Sequence, residues 1–282
     1  MAGAYRNVAR RTLMVAAWVF AVILASLSLA TPALAKDYSI DAVNIAAAVN
    51  SDGTLSVTEM RDFNFDGSFH GVYWKIPKGY NSSNGKEVDI TINYVGVYEN
   101  GQLQPFGLSN AETDGTYEVY DYGSYEQVKL YSAHEDETAR FVISYGASGI
   151  VTRWDDTGEL YWKFVSDGWD VESQNVTCTV SLPVPSGESV TPEENVRAWG
   201  HGSLDASVAF DGNDIVYSVP GVGTDEYAEA RITFPPSWVS DCEVTSGSEL
   251  SSILSEEQQW ADEANAKREQ AWIVEVVSVV VA

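Results

Sequence analysis

From Tyr38 onward, apolar and polar positions alternate with a period of two through most of the chain, which predicts strand after strand. In YSIDAVNIAAAVN, alternation places Ile40, Ala42, Asn44, Ala46 and Ala48 on one face and Val43, Ile45, Ala47 and Val49 on the other. Ser51-Asp52-Gly53 leads into TLSVTEMRDFNF, and the Asp-Gly pair predicts a hairpin because Gly takes a positive φ at little cost. After a polar loop from Lys78 to Lys86, EVDITINYVGVYE and QLQPF flank Asn100-Gly101, and TYEVYDY and YEQVKLYS flank Gly123-Ser124. With ARFVISYGASGIV this makes about eight strands, with turn signals roughly every 8–12 residues, the spacing of an antiparallel sandwich.

A junction, TRWDDTGEL, follows Val151. LYWKFV, DVESQNVTCTVSLP, NVRAWG, SLDASVAF, DIVYSV and YAEARITFP then continue the strand pattern, and Pro183 and Pro235 close two of these strands because Pro cannot donate to a ladder. Beyond Trp238 the composition turns Ala- and Glu-rich. Ser255 and Gln258 have capping-box spacing, Glu256 and Glu257 precede Lys267 and Arg268 as a helix dipole prefers, and Ile253, Trp260, Ala264 and Ala271 share one face. The predicted fold is therefore mainly β: two consecutive antiparallel β-sandwich modules, over residues 36–150 and 151–241, then a juxtamembrane α-helix within 242–282. The apolar end from Trp272 is shorter than the ~20 residues that cross a bilayer and reads as the front of a transmembrane helix; a terminus packed on a sheet, which Glu275 would suit, is the alternative.

The most distinctive stretch is Val57 to Pro77, where Phe63, Phe65, Phe69, Tyr73 and Trp74 are interleaved with Gly67 and Gly71. Alternation puts Phe63 and Phe65 on one face, and Gly67 allows a bend after them. Tyr73 and Trp74 must then point opposite ways. The expectation is that Phe65 and Tyr73 are structural and Trp74 is the more exposed.

Charge and leader narrow the setting. Arg6, Arg10 and Arg11, the apolar run Leu13 to Ala30 and the site Ala33-Leu34-Ala35 have the order of a secretory signal peptide, cut before Lys36; an uncleaved anchor helix is the alternative. The formal net charge of -25 excludes nucleic-acid binding through a basic face. It suits solubility at a cell surface, or a cationic partner.

FDGSFHGVYWKIP, with DGTLSVTE, RFVISY, RWDDTGELYWKF, VTCTVSLP, RAWGHG, ARITFPPSW and ILSEEQQWADEA in this order, resembles the DUF2207 family of prokaryotic membrane-anchored proteins over Tyr38 to about Trp272. Trp74-Lys75 departs from the pattern, in which an Arg near Trp74 is expected. The resemblance implies a membrane-tethered, outward-facing β domain, and it implies no chemistry.

Candidate chemistry is sparse. His70, His134 and His201 show no zinc spacing, and His201 stands out between Gly200 and Gly202. No G-x-S-x-G elbow occurs. Cys178 alternates with Val176, Val180 and Leu182 and should face the core, leaving a Cys178–Cys242 disulfide as one possibility and two separate thiols as the other. Asp155, Asp156 and Glu159 cluster at the junction beside Trp154, Tyr161 and Trp162: acids beside aromatics suit a sugar, and a solvated hinge is the plainer reading. Trp74, Asp155, Asp156, Glu159, Trp162 and His201 are thus the candidate binding residues, with no catalytic residue, metal or cofactor assigned. The expected role is binding or scaffolding at the extracytoplasmic face of the cell membrane. Its partners would be the membrane, through the C-terminal segment, and a protein or glycan ligand. A carbohydrate-active enzyme using the junction carboxylates is the alternative, and a passive spacer without a sizeable cleft is the third reading.

Overall fold

The computed structural model describes residues 36–281, with side chains as far as residue 269. The signal peptide expected over residues 1–35 lies outside the described residues, as do the side chains of the tail from Trp272. The first part of the chain forms β1 (Asp37–Val49), β2 (Leu55–Asp66), β3 (Ser68–Pro77), β4 (Gly79–Asn81), β5 (Lys86–Glu99), β6 (Gln102–Pro105), β7 (Gly107–Leu108), β8 (Thr116–Asp121), β9 (Tyr125–Glu135) and β10 (Thr138–Ser148). Then come β11 (Val151–Arg153), β12 (Gly158–Val165), β13 (Ser173–Ser181), β14 (Arg197–His201), β15 (Ser207–Asp211), β16 (Asp214–Val222) and β17 (Ala228–Phe234). A 3₁₀ turn, Pro236–Val239, and the helix α1, Leu250–Val281, close it. The protein is mainly β with one C-terminal helix, as the pattern indicates. The hairpins β1–β2, β5–β6 and β8–β9 fall where expected, with Gly53, Asn100, Gly101 and Gly123 at positive φ, and β15–β16 pairs antiparallel about Gly212, also at positive φ.

Two consecutive sandwich modules are not confirmed. The largest sheet has nine strands in the order β15-β16-β13-β1-β2-β10-β5-β4, with β6 beside β5. At its centre β1 runs parallel to β13, placing Ile45 opposite Cys178 and Ala47 opposite Val180. Parallel neighbours need a long crossover, and here everything from β2 to β12 supplies it. Strands from both sides of residue 150 therefore share one sheet. Two four-stranded sheets, β11-β12-β17-β14 and β3-β9-β8-β7, pack on it over a continuous core. Ring centroids of Phe63 in β2 and Trp74 in β3 are 6.4 Å apart, and those of Phe164 in β12 and Tyr217 in β16 are 5.6 Å apart.

Two bulges change which faces are buried. In β1 the register with β2 shifts between Ile40 and Ala42, so Ile40 joins Val43, Ile45, Ala47 and Val49 in the core instead of facing away from them. In β3 the register with β9 shifts between Phe69 and Gly71. Gly71 is indispensable there, because a Cβ would overlap the Leu130 carbonyl oxygen and φ is 149°. The shift reverses the expected aromatic assignment. Phe65 is buried as expected, but Trp74 is 1 % exposed and Tyr73 is 54 % exposed. Val72, Trp74 and Ile76 point inward, and Tyr73 and Lys75 face outward.

Trp74 completes a polar centre inside the core. Glu59 Oε2 accepts hydrogen bonds from Trp74 Nε1 at 3.1 Å and Arg61 Nη2 at 3.2 Å, and Glu59 Oε1 accepts one from Tyr145 at 2.8 Å. The Arg61 guanidinium lies 4.0 Å from the centroid of the Trp169 ring, and its Nη1 donates to Ser173. Burial lowers the Arg61 pKa and raises that of the Tyr145 hydroxyl, so both charges of the Glu59–Arg61 pair depend on these few partners.

Cys178 is buried, as its alternation with Val176 and Val180 requires, and both cysteines are free thiols. They keep separate company. Cys178 sits mid-sheet between Ile45 and Tyr217, whereas Cys242 lies against Gly53 at the turn of the β1–β2 hairpin. Burial, and next the Glu59 carboxylate, raise the Cys178 pKa well above the ordinary thiol value.

Two outcomes follow. Trp74→Ala should cost about 3–5 kcal/mol in urea melts, and Tyr73→Ala no more than about 0.5 kcal/mol; the reverse order would contradict the bulged register. A maleimide should label Cys242 in the folded chain and reach Cys178 only in denaturant, where mass spectrometry should count two free thiols without reductant.

Candidate functional site

The junction acids do not converge on a cleft. They form the socket in which α1 begins. After β11, the loop Trp154–Thr157 meets the segment ahead of the helix: Gly247 N donates to Asp155 Oδ2 at 2.9 Å, and Asp155 N donates to the Gly247 carbonyl at 2.9 Å. Asp156 Oδ1 accepts from Glu249 N at 2.9 Å and from Leu250 N at 3.4 Å. A carboxylate 93 residues away in sequence thus caps the helix and meets its positive dipole end. Ser255, expected at the cap, is instead inside the helix.

The next turn of α1 is fixed by charge. Buried Arg231 on β17 donates from Nε to Glu159 Oε1 on β12 at 2.8 Å. Its Nη1 donates to Glu256 Oε2 at 2.7 Å and Glu257 Oε1 at 3.0 Å, both on α1. Glu159 also accepts from Trp154 Nε1 at 3.0 Å. The other oxygen of Glu257 lies 3.0 Å from His201 Nε2 on β14, and the His201 ring stands edge-on to Trp260 at 4.9 Å. Burial opposes the Arg231 charge, but Glu256, Glu159 and Glu257 more than offset it, and the pKa is raised. Ile253 and Glu257 are buried and Trp260 and Ala264 half-buried on the same helix face. The expected stripe is there for Ile253, Trp260 and Ala264; Ala271 lies outside the described side chains. Arg231 was not singled out from sequence, and Glu257 was read only as an acid suited to the helix dipole. The available signal was Glu257 itself, a carboxylate on the apolar stripe between Ile253 and Trp260.

Two grooves flank this assembly. One, of about 610 Å³, lies between β14, the loop after it and α1, and is lined by His201, Tyr227, Trp260, Lys267 and Arg268 among others. The other, also about 610 Å³, runs between the two small sheets. Its walls are the outward faces of β3 and β12, with Lys75, Lys78, Tyr80, Tyr125, Tyr161 and Lys163, and its rim is Ser82, Ser83 and Ser124. Tyr161 borders both grooves. Its hydroxyl donates to Glu229 at 3.1 Å, its pKa is raised by burial and by that carboxylate, and Arg231 lies 5.1 Å from the centroid of its ring.

The six sequence candidates therefore separate. Asp155 and Asp156 cap the helix, Glu159 anchors Arg231, and His201 touches the same cluster through Glu257. Trp162 is buried behind the groove between the small sheets, and Trp74 is in the core. Lys75, Tyr80 and Tyr125, which the sequence did not mark, carry the open groups of that groove.

A family model described as "Predicted membrane protein (DUF2207) N-terminal domain" matches residues 39–234. No curated protein matches the chain. Among solved structures, an M1 zinc metallopeptidase from Deinococcus radiodurans is 11% identical with a TM-score of 0.36, over 69% of this chain and 42% of that one. Native leukotriene A4 hydrolase from Saccharomyces cerevisiae is 10% identical with a TM-score of 0.42, over 70% of this chain and 29% of that one. The chain spans less than half the length of these structures, and likeness at this level carries no argument about activity.

Arg231→Met leaves buried Glu159 and Glu257 without their cation and should cost about 3–5 kcal/mol. Asp156→Ala should cost only about 1 kcal/mol while speeding hydrogen exchange at the amides of residues 249–253. Equal losses from the two variants, measured by urea melts with exchange mass spectrometry, would contradict the division between cap and clamp.

Proposed function

The chain belongs to the DUF2207 family of predicted membrane proteins, and from that membership we propose a membrane-tethered, outward-facing β domain that binds or scaffolds at the cell surface. The observation that carries the binding reading is the groove between the small sheets. Its walls are strands, its volume is that of a small-ligand cleft, and the Lys75 ammonium and the side-chain hydroxyls of Tyr80, Ser82, Ser83 and Ser124 have no hydrogen-bond partner among the described residues. A passive spacer has no use for such a groove.

The carbohydrate-active enzyme finds no support. It needs two carboxylates facing each other across a cleft, one of them apolar-walled. Asp155 and Asp156 are spent on backbone amides and Glu159 on Arg231 and Trp154. Among the described residues no helix is long and apolar enough to cross a membrane. We place the tether in the leader, if uncleaved, or in a span of which the apolar tail from Trp272 is the front.

Fractionation and surface proteolysis test the proposal. The full chain should sediment with membranes, and protease added to intact cells should remove the β domain. Incubation with envelope polysaccharide should release no reducing ends. A chain shielded from external protease until the cells are lysed would overturn the surface placement, and new reducing ends would overturn the non-catalytic reading.

A further inference from the structure

We infer that the groove between the small sheets binds a short acidic glycan segment, with one sugar carboxylate seated on Lys75. This rests on the binding reading above and names the ligand class for the same groove.

The argument starts from the cations. The sequence has 16 Lys and Arg against 41 Asp and Glu, so an unpaired ammonium in a concave site is unusual. Lys78 is held by Asp121 at 3.0 Å and by buried Glu126 at 3.1 Å, and Lys163 lies 3.8 Å from Glu229. Lys75 lines the same groove and has no carboxylate within ion-pair distance among the described residues. Its stem lies against Gly168, where a Cβ would come within 3.1 Å of Lys75 Cδ, and its ammonium is 5.8 Å from the centroid of the Tyr125 ring. The packing holds the stem and leaves the charged end to the groove. One free ammonium, flanked by neutralised ones and sharing the wall with the exposed, unpaired carboxylate of Asp167, suits a single carboxylate better than a polyanion.

The rest of the wall suits a sugar. Tyr80 is 69 % exposed, and Tyr125 presents a ring steadied by stacking on Tyr122 at 4.9 Å. Exposed aromatic faces pack on the C–H faces of pyranose rings, a contact of the same kind as aromatic–aliphatic packing. The hydroxyls of Ser82, Ser83 and Ser124 provide both donors and acceptors, as sugar hydroxyls require. The concavity of about 610 Å³ falls in the volume range of small-ligand clefts and encloses only a short segment.

The test is calorimetry on the full chain in mild detergent with trigalacturonate, its carboxyl-reduced form, a hyaluronan tetrasaccharide and triglutamate. At least one uronate probe should bind, with the carboxyl-reduced trisaccharide at least tenfold weaker than trigalacturonate. Lys75→Gln should abolish that difference without moving Tm. Tyr80→Ala should weaken acidic and reduced sugars alike by several-fold, again at unchanged Tm. Three results overturn the inference: no uronate probe binding, equal binding of acidic and reduced sugars by the unaltered chain, or triglutamate binding as tightly as the sugars. Any of these from a chain that external protease still cleaves removes the glycan inference alone and leaves the surface placement intact.

Discussion

Arg231 is the group on which the relation between sheet and helix depends. Its guanidinium is buried at the seam, and its carboxylate partners come from β12 and from two consecutive positions of α1. Removing a guanidinium and its carboxylates from water costs several kcal/mol per ion, and their attraction repays this only with good geometry. The seam is therefore weak evidence for added stability and strong evidence for specified position. A helix shifted by one turn would bury Glu257 away from Arg231 and His201 and leave Asp156 facing no amide. The first turns of α1 are held at one register and one direction on the sheet.

That register reaches the groove through shared residues. Tyr161 follows Glu159 by two on β12 and lies on the Arg231 side of the seam, yet it also walls the groove between the small sheets. Glu229 on β17 takes the Tyr161 hydroxyl and sits near Lys163. The face of β12 and β17 that holds the helix thus also carries side chains of the groove. The far wall, β3, is fixed by a different device, the Glu59–Arg61–Trp74–Tyr145 centre that ties it to β2 and β10. Both walls rest on the one nine-stranded sheet, and the parallel β1–β13 pairing is what makes that sheet continuous.

Short-range features were legible in the sequence because their causes are local. The hairpin turns follow from Gly and Asn at positions that need positive φ, Cys178 follows from alternation, and most of the helix stripe follows from a period of 3.6. What failed was parity. An extra residue in β1, Asp41, and a shift at Phe69–Gly71 where one residue of β3 faces two of β9 each reverse the alternation, and only cross-strand pairing reveals them. Gly71 hinted at the second bulge without fixing its direction. The β1–β13 pair joins segments more than a hundred residues apart, and no local pattern announces it. The two sandwiches expected from turn spacing were the cost of reading strands without their partners.

The junction acids show the same limit from the side of function. Acids beside aromatics describe a sugar site and a helix socket equally well, because both need carboxylates aimed at donors. Which one forms depends on what the fold delivers to the loop. Here α1 arrives with free amides at Glu249 and Leu250, and unsatisfied donors at a helix start must be paired if they are not left to water. Asp156 meets that need from outside the helix, although Ser246 and Ser248 stand just before α1, and the capping-box spacing at Ser255 lies within the helix instead of at its start. In a chain with such an excess of acids, most carboxylates carry little information. The informative charges are a few cations in unusual settings: Arg61 and Arg231 are held by buried carboxylates, and Lys75 is left facing the groove.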